Sequence, residues 1–170
     1  LIGHASGISG VDAQIAAMLT DLASSSLRTA QAHERVAHLA LPDPLTEVGN
    51  RRAFEARLTE VVALAARTGQ PMALCLIDLD HFRTFNETGG HQQGDEALRL
   101  VAIALRDAMR TSDQAFRIGG DEFALVLPDT TAASGAGLLE RVRAALARTH
   151  LGPLSITAGV AEAPRDGRDL

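Results

Sequence analysis

The chain has 170 residues, of which 46% are hydrophobic, and this suits one folded domain with an appendage. Its formal charge of −5 argues against a general nucleic-acid binder, because such a protein presents a basic face to the phosphates. A few arginines and a divalent ion can still hold the charge of a nucleoside triphosphate locally. The single cysteine, Cys75, excludes a disulfide framework and a multi-cysteine metal site, and its apolar neighbours predict a buried thiol.

The sequence also bears on where the protein works. No apolar run approaches the ~18 residues of a membrane span. Residues 1–10 lack the basic-then-apolar order of a signal peptide, so we expect a cytoplasmic setting. Because the chain opens on Leu1 rather than on a methionine, we expect a fragment of a longer protein, whose upstream segments could include a sensor or a membrane anchor.

Residues 11–40 are rich in Ala, Ser, Gln and Arg and contain no proline or glycine, which predicts a long helix. Its seam advances by alternating four- and three-residue steps, a heptad-like pattern that is weakened by a polar middle. The seam consists of Ile15, Leu19, Leu22, Ser26, Thr29, His33, Val36 and Ala40. A lone helix of this kind buries too little surface to be stable. It either pairs with a second copy or folds back onto its own domain.

The stretch LPDPLT ends this helix and places a domain boundary near Pro42, because each proline disfavours helical geometry in the residue before it. A second helix follows GNRR and ends at Gly69 and Pro71. The apolar face of that helix is expected to carry Phe54, Leu58, Val61, Val62 and Ala65.

The rest of the chain alternates strands and helices. MALCLIDLD is typical of a buried central strand that ends in acids, and DEALRLVAIALRDAMR is typical of an amphipathic helix. AFRI and FALVL predict a hairpin, which is followed by a helix over 134–150 and a half-buried strand, LSITAGV. Without the two leading helices the order is β-α-β-β-α-β. This order predicts an α+β, ferredoxin-like fold with a mainly antiparallel central sheet flanked by helices.

Four acids fall at one edge of the predicted sheet. Asp78 and Asp80 leave the central strand, and Asp121 and Glu122 follow the glycines of the hairpin turn. Carboxylate oxygens that converge from two elements are what Mg²⁺ needs alongside phosphate oxygens and water. Taken singly, Asp80 could instead cap a helix, and the turn could carry solvated acids. Two acid pairs at one edge favour a metal site.

Two further features indicate a bulky ligand. Gly119 and Gly120 lack Cβ atoms, so the turn can take φ > 0 and a ligand can approach its backbone closely. Asn86 and Asp95 flank a glycine-loosened loop. A carboxylate can accept from the N–H groups of guanine while an amide pairs with its carbonyl. In isolation, however, both residues are more often cap and turn residues.

Four ordered stretches together resemble the GGDEF domain of diguanylate cyclases: DPLTEVGNRRAF, DLDHFRTFNETGGHQQGD, RTSDQAFRIGGDEF and ITAGVA. The resemblance runs from about Asp43 to Val160. It implies a fold of the nucleotide-cyclase type, with a signalling or coiled-coil helix over 1–41 and a catalytic domain over 42–170. Family members continue past GVA into a helix whose lysine and arginine contact the triphosphate. The domain is therefore expected to lack its C-terminal helix and last strand.

The resemblance also implies an activity. Members of the family join two GTP molecules into cyclic di-GMP and release pyrophosphate, with Mg²⁺ or Mn²⁺ as the cofactor. Each domain is expected to hold one GTP, so catalysis requires a homodimer with two domains face to face. The helix over 1–41 would set that pairing and carry a signal from an upstream sensor.

The roles that the resemblance implies between Asp43 and Val160 fall on residues of this sequence. Asp78, Asp121 and the Leu79 carbonyl match the metal ligands, and Glu122 joins Asp121 as the second catalytic acid. Residues matched to GTP binding are the guanine pair Asn86 and Asp95, the phosphate-cradling backbone at His81, Phe82 and Arg83, and the signature glycines Gly119 and Gly120.

Arg110 and Asp113 form an R-x-x-D pair ahead of the signature. The pair matches the family's inhibitory site for cyclic di-GMP, and Arg141 resembles its second arginine. The alternative for the pair is a surface salt bridge, which contributes little to stability.

Two other functions stay open on the sequence. The chain could be a catalytically silent module that binds GTP or cyclic di-GMP as a signalling receptor, or chiefly an oligomerising adaptor driven by residues 11–40. The intact GGDEF pentapeptide and Asp78 favour the enzyme, because a retired site would be free to lose its metal ligands.

Overall fold

The computed structural model describes residues 42–152 and 154–164. The strands are β1 (Gly49–Asn50), β2 (Met72–Leu79), β3 (Gln114–Arg117), β4 (Glu122–Pro128) and β5 (Ile156–Ala163). The helices are α1 (Arg51–Thr68), α2 (Phe82–Gly89), α3 (His91–Ala108) and α4 (Ala132–Leu146). The helix predicted over 1–41 lies outside the described residues and stays a prediction. None of the described helices is long and apolar enough to cross a membrane.

The five strands form one sheet in the order β1-β3-β4-β2-β5. β4 pairs antiparallel with β3 on one side and with β2 on the other, and β2 pairs antiparallel with β5. The two-residue β1 runs parallel to its neighbour β3. The four longer strands thus follow the ferredoxin-like β-α-β-β-α-β arrangement, and the predicted α+β fold is confirmed.

Alternation of side chains along the strands divides the core into two layers. Odd-numbered residues of β2 and β4, such as Cys75 and Leu125, pack with the apolar faces of α3 and α4. Even-numbered residues, such as Met72 and Val126, pack with α1. The α1 layer ends before the end of β2, because Leu76 is 47% exposed. The acid-bearing end of the strand is therefore left uncovered on that face.

Capping residues define both ends of α1. Asn50 Oδ1 accepts a hydrogen bond from the Ala53 N–H at 2.9 Å, and Gly69 ends the helix with φ 73°. Val61 faces the core as predicted, but Val62 is 41% exposed. Consecutive residues are about 100° apart around a helix, so Val62 points away from the layer that Val61 enters, and its predicted place on the buried face was wrong.

The segment after β2 differs from the expectation. The sequence predicts a loop around Asn86 and Asp95, whereas the structure has two helices, α2 and α3, that meet at Gly90. Gly90 has φ 80°, a conformation that glycine adopts without strain, so the chain changes direction within one residue. α3 therefore begins before Asp95, and α4 ends earlier than the predicted helix over 134–150.

Candidate functional site

The ladder between β2 and β4 brings the acids together. Asp78 lies opposite Glu122 in the antiparallel register. The Leu79 N–H donates to the Asp121 carbonyl oxygen at 3.3 Å. The end of the central strand and the hairpin turn therefore meet at one edge of the sheet.

The carboxylates at this edge repel one another. Partial burial, together with the negative charges of Asp121, Glu122 and Asp80, raises the pKa of Asp78 above its usual value of 3.8. A divalent cation would relieve that repulsion, and it prefers oxygen ligands. Among the described residues, no group of three or more Asp, Glu, His or Cys side chains is arranged to hold a metal ion. The predicted ligand set of Asp78, Asp121 and the Leu79 carbonyl offers two carboxylates and a backbone oxygen, which is the donor chemistry of a cation that takes its other ligands from phosphate and water.

The two signature glycines differ in their surroundings. A Cβ at Gly119 would lie 2.2 Å from Glu122 Oε2, so a side chain at this position would displace the carboxylate that folds back over the turn. A Cβ at Gly120 would meet nothing within 4 Å, so the backbone there is open to close approach. Neither glycine has positive φ. The left-handed turn that these glycines would permit is therefore not formed, and the missing Cβ of Gly119 instead leaves room for the Glu122 carboxylate.

Arg117, which the sequence pattern did not single out, braces this turn. Its Nε and one terminal nitrogen donate to the Gly120 carbonyl oxygen at 3.1 and 2.7 Å. Its other terminal nitrogen lies 3.1 Å from Asp43 Oδ1, and the two side chains are only 16% and 19% exposed. Asp43 also accepts from the N–H and hydroxyl of Thr46. The basic residue before IGG was an available signal, but its carboxylate partner lies 74 positions away.

The turn that precedes α2 is hydrogen-bonded to β5 and to Ser155, which directly precedes β5. Asp80 Oδ1 accepts from Thr157 Oγ1 at 2.7 Å, and the Asp80 N–H donates to the Ser155 carbonyl oxygen at 3.0 Å. Hydrogen bonds from Ser155 and Thr157 lower the pKa of Asp80. The residue at the cap is His81, which has φ 57° and makes no side-chain capping bond. Asp80 is therefore a link to β5 and not the helix cap that was considered from sequence.

Phe82 and Arg83 are the first two residues of α2. The N–H groups at the start of a helix have no acceptor within the helix, so this turn offers donors to an anion. The Arg83 side chain is 92% exposed and pairs with Glu87 at 3.0 Å. A cavity of ≈ 400 Å³ adjoins the same turn. Its lining includes Leu79, His81, Phe82, Phe85, Leu151 and Leu154.

The predicted guanine pair lies at the corner between α2 and α3. Asn86 is on α2, and Asp95 is an exposed residue in the first turns of α3. Asn86 Oδ1 is buried and accepts no hydrogen bond from any described residue. It lies 1.8 Å from where a Cβ of Gly94 would be. Because Gly94 directly precedes Asp95, the helix corner brings the two predicted base-binding residues to neighbouring positions without a hydrogen bond between them.

The R-x-x-D pair is a closed turn and not a surface salt bridge. Asp113 is 9% exposed, and its Oδ2 accepts from the Arg110 backbone N–H at 2.9 Å. The Arg110 side chain is exposed. Arg141 reaches the same region, since one guanidinium nitrogen donates to the Ala108 carbonyl oxygen at 3.1 Å. Arg110 and Asp113 thus follow the C-terminal end of α3, and Arg141, which lies on α4, reaches that end with its side chain.

Comparison with known sequences gives a consistent match. The family model described as "Diguanylate cyclase, GGDEF domain" matches residues 40–170. Diguanylate cyclase DgcP of Pseudomonas aeruginosa is 40% identical over 134 residues, which are 76% of this chain and 20% of that protein. Diguanylate cyclase DosC of Escherichia coli is 41% identical over 109 residues, with 64% and 24% covered. The chain therefore spans less than a quarter of the length of these curated relatives.

Solved structures give the same match. The coiled coil and GGDEF domain of DgcB from Caulobacter crescentus, solved in complex with c-di-GMP, has a TM-score of 0.69 and 33% identity, covering 87% of this chain and 82% of that one. The GGDEF domain of YfiN from Pseudomonas aeruginosa has a TM-score of 0.68 and 33% identity, covering 74% and 77%. Because the family model matches residues 40–170, which are more than half of this chain, the chain belongs to the GGDEF domain family.

Proposed function

We propose that this chain is the catalytic domain of a diguanylate cyclase, which condenses two GTP molecules into cyclic di-GMP and releases two pyrophosphates. The observation that carries the proposal is the register of β2 and β4, which sets Asp78 opposite Glu122 and brings Leu79 to Asp121. A domain that had lost catalysis would be free to lose these acids. The names of the relatives DgcP and DosC support the same activity.

Asp78, Asp121 and the Leu79 carbonyl would hold Mg²⁺ or Mn²⁺ at this edge. When bound, the cation supplies positive charge that orients the triphosphate and stabilises the charge that develops during phosphoryl transfer. The protein keeps the oxygen ligands in place by two means. The bond from Leu79 to Asp121 fixes the turn to the strand, and Arg117 fixes the turn through the Gly120 carbonyl.

The reaction forms a bond between the ribose 3′-oxygen of one GTP and the α-phosphorus of the other, and it breaks the α-phosphorus bond to pyrophosphate. The 3′-hydroxyl proton needs an acceptor within hydrogen-bond reach. The Glu122 carboxylate is directed over Gly119 at the same edge, and we assign it this role. Each GTP is attacked in turn, so both nucleotides must meet at this edge of two facing domains.

The remaining nucleotide contacts come from α2 and α3. Asn86 and Asp95 recognise guanine from the corner of the two helices. Backbone N–H groups at the start of α2, around His81, Phe82 and Arg83, hold phosphate oxygens. The open backbone beside Gly120 accommodates the close approach of the nucleotide.

Regulation is proposed at two places. The helix over 1–41 or the catalytic face pairs two copies and carries the signal of an upstream sensor in a cytoplasmic setting. Cyclic di-GMP inhibits by binding to Arg110, Asp113 and Arg141. The support for that site is that Asp113 and Arg141 both contact the segment at the end of α3, where the Arg110 side chain is exposed.

The test is incubation with GTP and Mg²⁺, followed by chromatography for cyclic di-GMP and pyrophosphate. We expect product from the wild-type protein and none from Asp121→Ala, with unchanged circular dichroism because a turn carboxylate contributes little to stability. Arg110→Ala should leave initial rates unchanged and remove inhibition by added product. A folded, dimeric wild-type protein that binds guanine nucleotides but forms no product would instead establish the catalytically silent module.

A further inference from the structure

The corner between α2 and α3 presses a side-chain amide against a glycine. A Cβ added to Gly94 would lie 1.8 Å from Asn86 Oδ1, 2.8 Å from Cγ and 3.2 Å from Nδ2. These three atoms are the nearest neighbours of that Cβ position, so the Asn86 amide is the first group that a methyl at position 94 would meet. Any residue other than glycine therefore displaces the amide.

The same contact sets which way the amide faces. Asn86 Oδ1 is buried against Gly94, whereas Nδ2 is the amide atom farther from that glycine. The backbone restrains the corner as well. The Gly90 N–H donates to the Asn86 carbonyl oxygen at 2.8 Å, and the Gly94 N–H donates to the Gly90 carbonyl oxygen at 3.2 Å. Among the described residues, Asn86 Oδ1 is a buried side-chain atom without a hydrogen-bond partner and Nδ2 is not, so the NH₂ group is the part of the amide that is available as a donor.

We propose that Gly94 is a positioning residue that sets the base preference of the nucleotide site through Asn86. An outward NH₂ group pairs with the 6-oxo oxygen of guanine, an acceptor, and faces the 6-amino group of adenine as donor against donor. Asp95, the next residue, supplies the carboxylate for the N–H groups of guanine. The inference rests on the proposed function, because it concerns the base of the same nucleotide.

If Gly94 were needed only for folding, its variants would behave differently. A double-variant cycle distinguishes that structural role from the proposed role in positioning Asn86. In Gly94→Ala the added methyl meets the amide. In Asn86→Ala/Gly94→Ala the amide is absent, and the methyl occupies the space that the amide leaves. Gly137→Ala is the matched control, because a Cβ at this α4 glycine meets nothing within 4 Å.

The measurement is equilibrium binding of the α,β-methylene analogues of GTP and ATP, which cannot lose pyrophosphate, together with thermal denaturation of each variant. We expect Gly94→Ala to weaken binding of the GTP analogue about tenfold or more, the effect of one lost hydrogen bond to a buried base. Binding of the ATP analogue should change little. Asn86→Ala should show the same loss, the double variant no further loss, and Gly137→Ala none.

The other possible outcomes of these measurements decide for or against the inference or the proposed function. Equal weakening of both analogues in Gly94→Ala, or a retained preference for the GTP analogue, overturns the inference while leaving the proposed function standing. A wild-type protein without preference for guanine overturns the proposed function and this inference with it. If Gly94→Ala does not fold, the double variant is compared with Asn86→Ala. Equal affinities of these two variants for both analogues support the inference, whereas a further loss of binding in the double variant, or its failure to fold, overturns it.

Discussion

Asp78 has an environment that disfavours its own charge. Burial and the negative charges of Asp121, Glu122 and Asp80 raise its pKa above 3.8, whereas the unfolded chain returns the group to its usual value. The folded state therefore binds this proton more tightly. As the pH rises from 3.8 through the higher folded pKa, the metal-free domain loses that stabilisation. At neutral pH the residue favours unfolding, as is common where function requires clustered charge.

Replacing Asp78 by Asn removes the repelled charge at nearly constant shape. We expect a higher melting temperature than wild type in EDTA at neutral pH, measured by scanning calorimetry. Cyclase activity should fall about 100-fold or more, because losing even an outer-shell partner of a metal ligand costs about 10- to 100-fold and Asp78 is proposed as a direct ligand. Asp107→Asn, on an exposed position of α3, is the matched control and should change neither quantity. A melting temperature below that of the control would contradict the electrostatic account.

At the scale of elements, the pair of Arg117 and Asp43 joins two turns. Burial alone would raise the pKa of Asp43, but hydrogen bonds from Thr46 and the Arg117 guanidinium lower it below 3.8. The stability that this carboxylate contributes is thus fully present above pH 3.8 and is lost as the pH falls through the lower folded value. We therefore expect the turn at residues 43–48 and the turn at 118–121 to loosen together in acid.

Arg117→Ala should destabilise the domain by about 1–3 kcal/mol, because the partly buried Asp43 carboxylate keeps only its bonds from Thr46 and the Gly120 carbonyl loses the guanidinium donor. Urea unfolding measures this change. Arg51→Ala is the control, since its pair with Glu55 is 74% and 62% exposed and should contribute close to nothing. Activity of the Arg117 variant should fall as well, because the turn that bears Asp121 loses its brace. Equal stability of the two variants would show that the brace is not energetically significant.

The elements also show what could be predicted from the sequence. Long apolar periodic segments such as β2 and α3 were predictable, because burial requires their spacing. α2 was not, because Asn86, Gly89 and Gly90 locally favour a loop and tertiary packing decides the outcome. The meeting of Asp78 with the hairpin acids followed from topology. The bond from Thr157 to Asp80 joins residues 77 positions apart, and no local pattern indicates it.

At the scale of the whole molecule, the proposed reaction needs two domains, each with one GTP. A mixed dimer of wild-type and Asp121→Ala copies would hold one competent metal site, and the second phosphoryl transfer would fail. We expect excess Asp121→Ala protein, equilibrated with wild type, to lower cyclic di-GMP formation per wild-type copy towards zero. Bovine serum albumin at equal mass should have no effect. Unchanged specific activity after subunit exchange would mean that each copy acts alone.

The antiparallel register of β2 and β4 makes the site sensitive to any change in the length of β2. Side chains alternate along a strand, so deleting one residue ahead of Asp78 would carry it into the layer now occupied by Ile77 and turn an apolar neighbour towards solvent. An insertion at 118–120 leaves this parity intact but alters the turn that Arg117 holds through the Gly120 carbonyl. Insertions and deletions should therefore be rare in β2 as well as in the turn, because any frameshift of β2 damages the apolar interior and the acid cluster in one event.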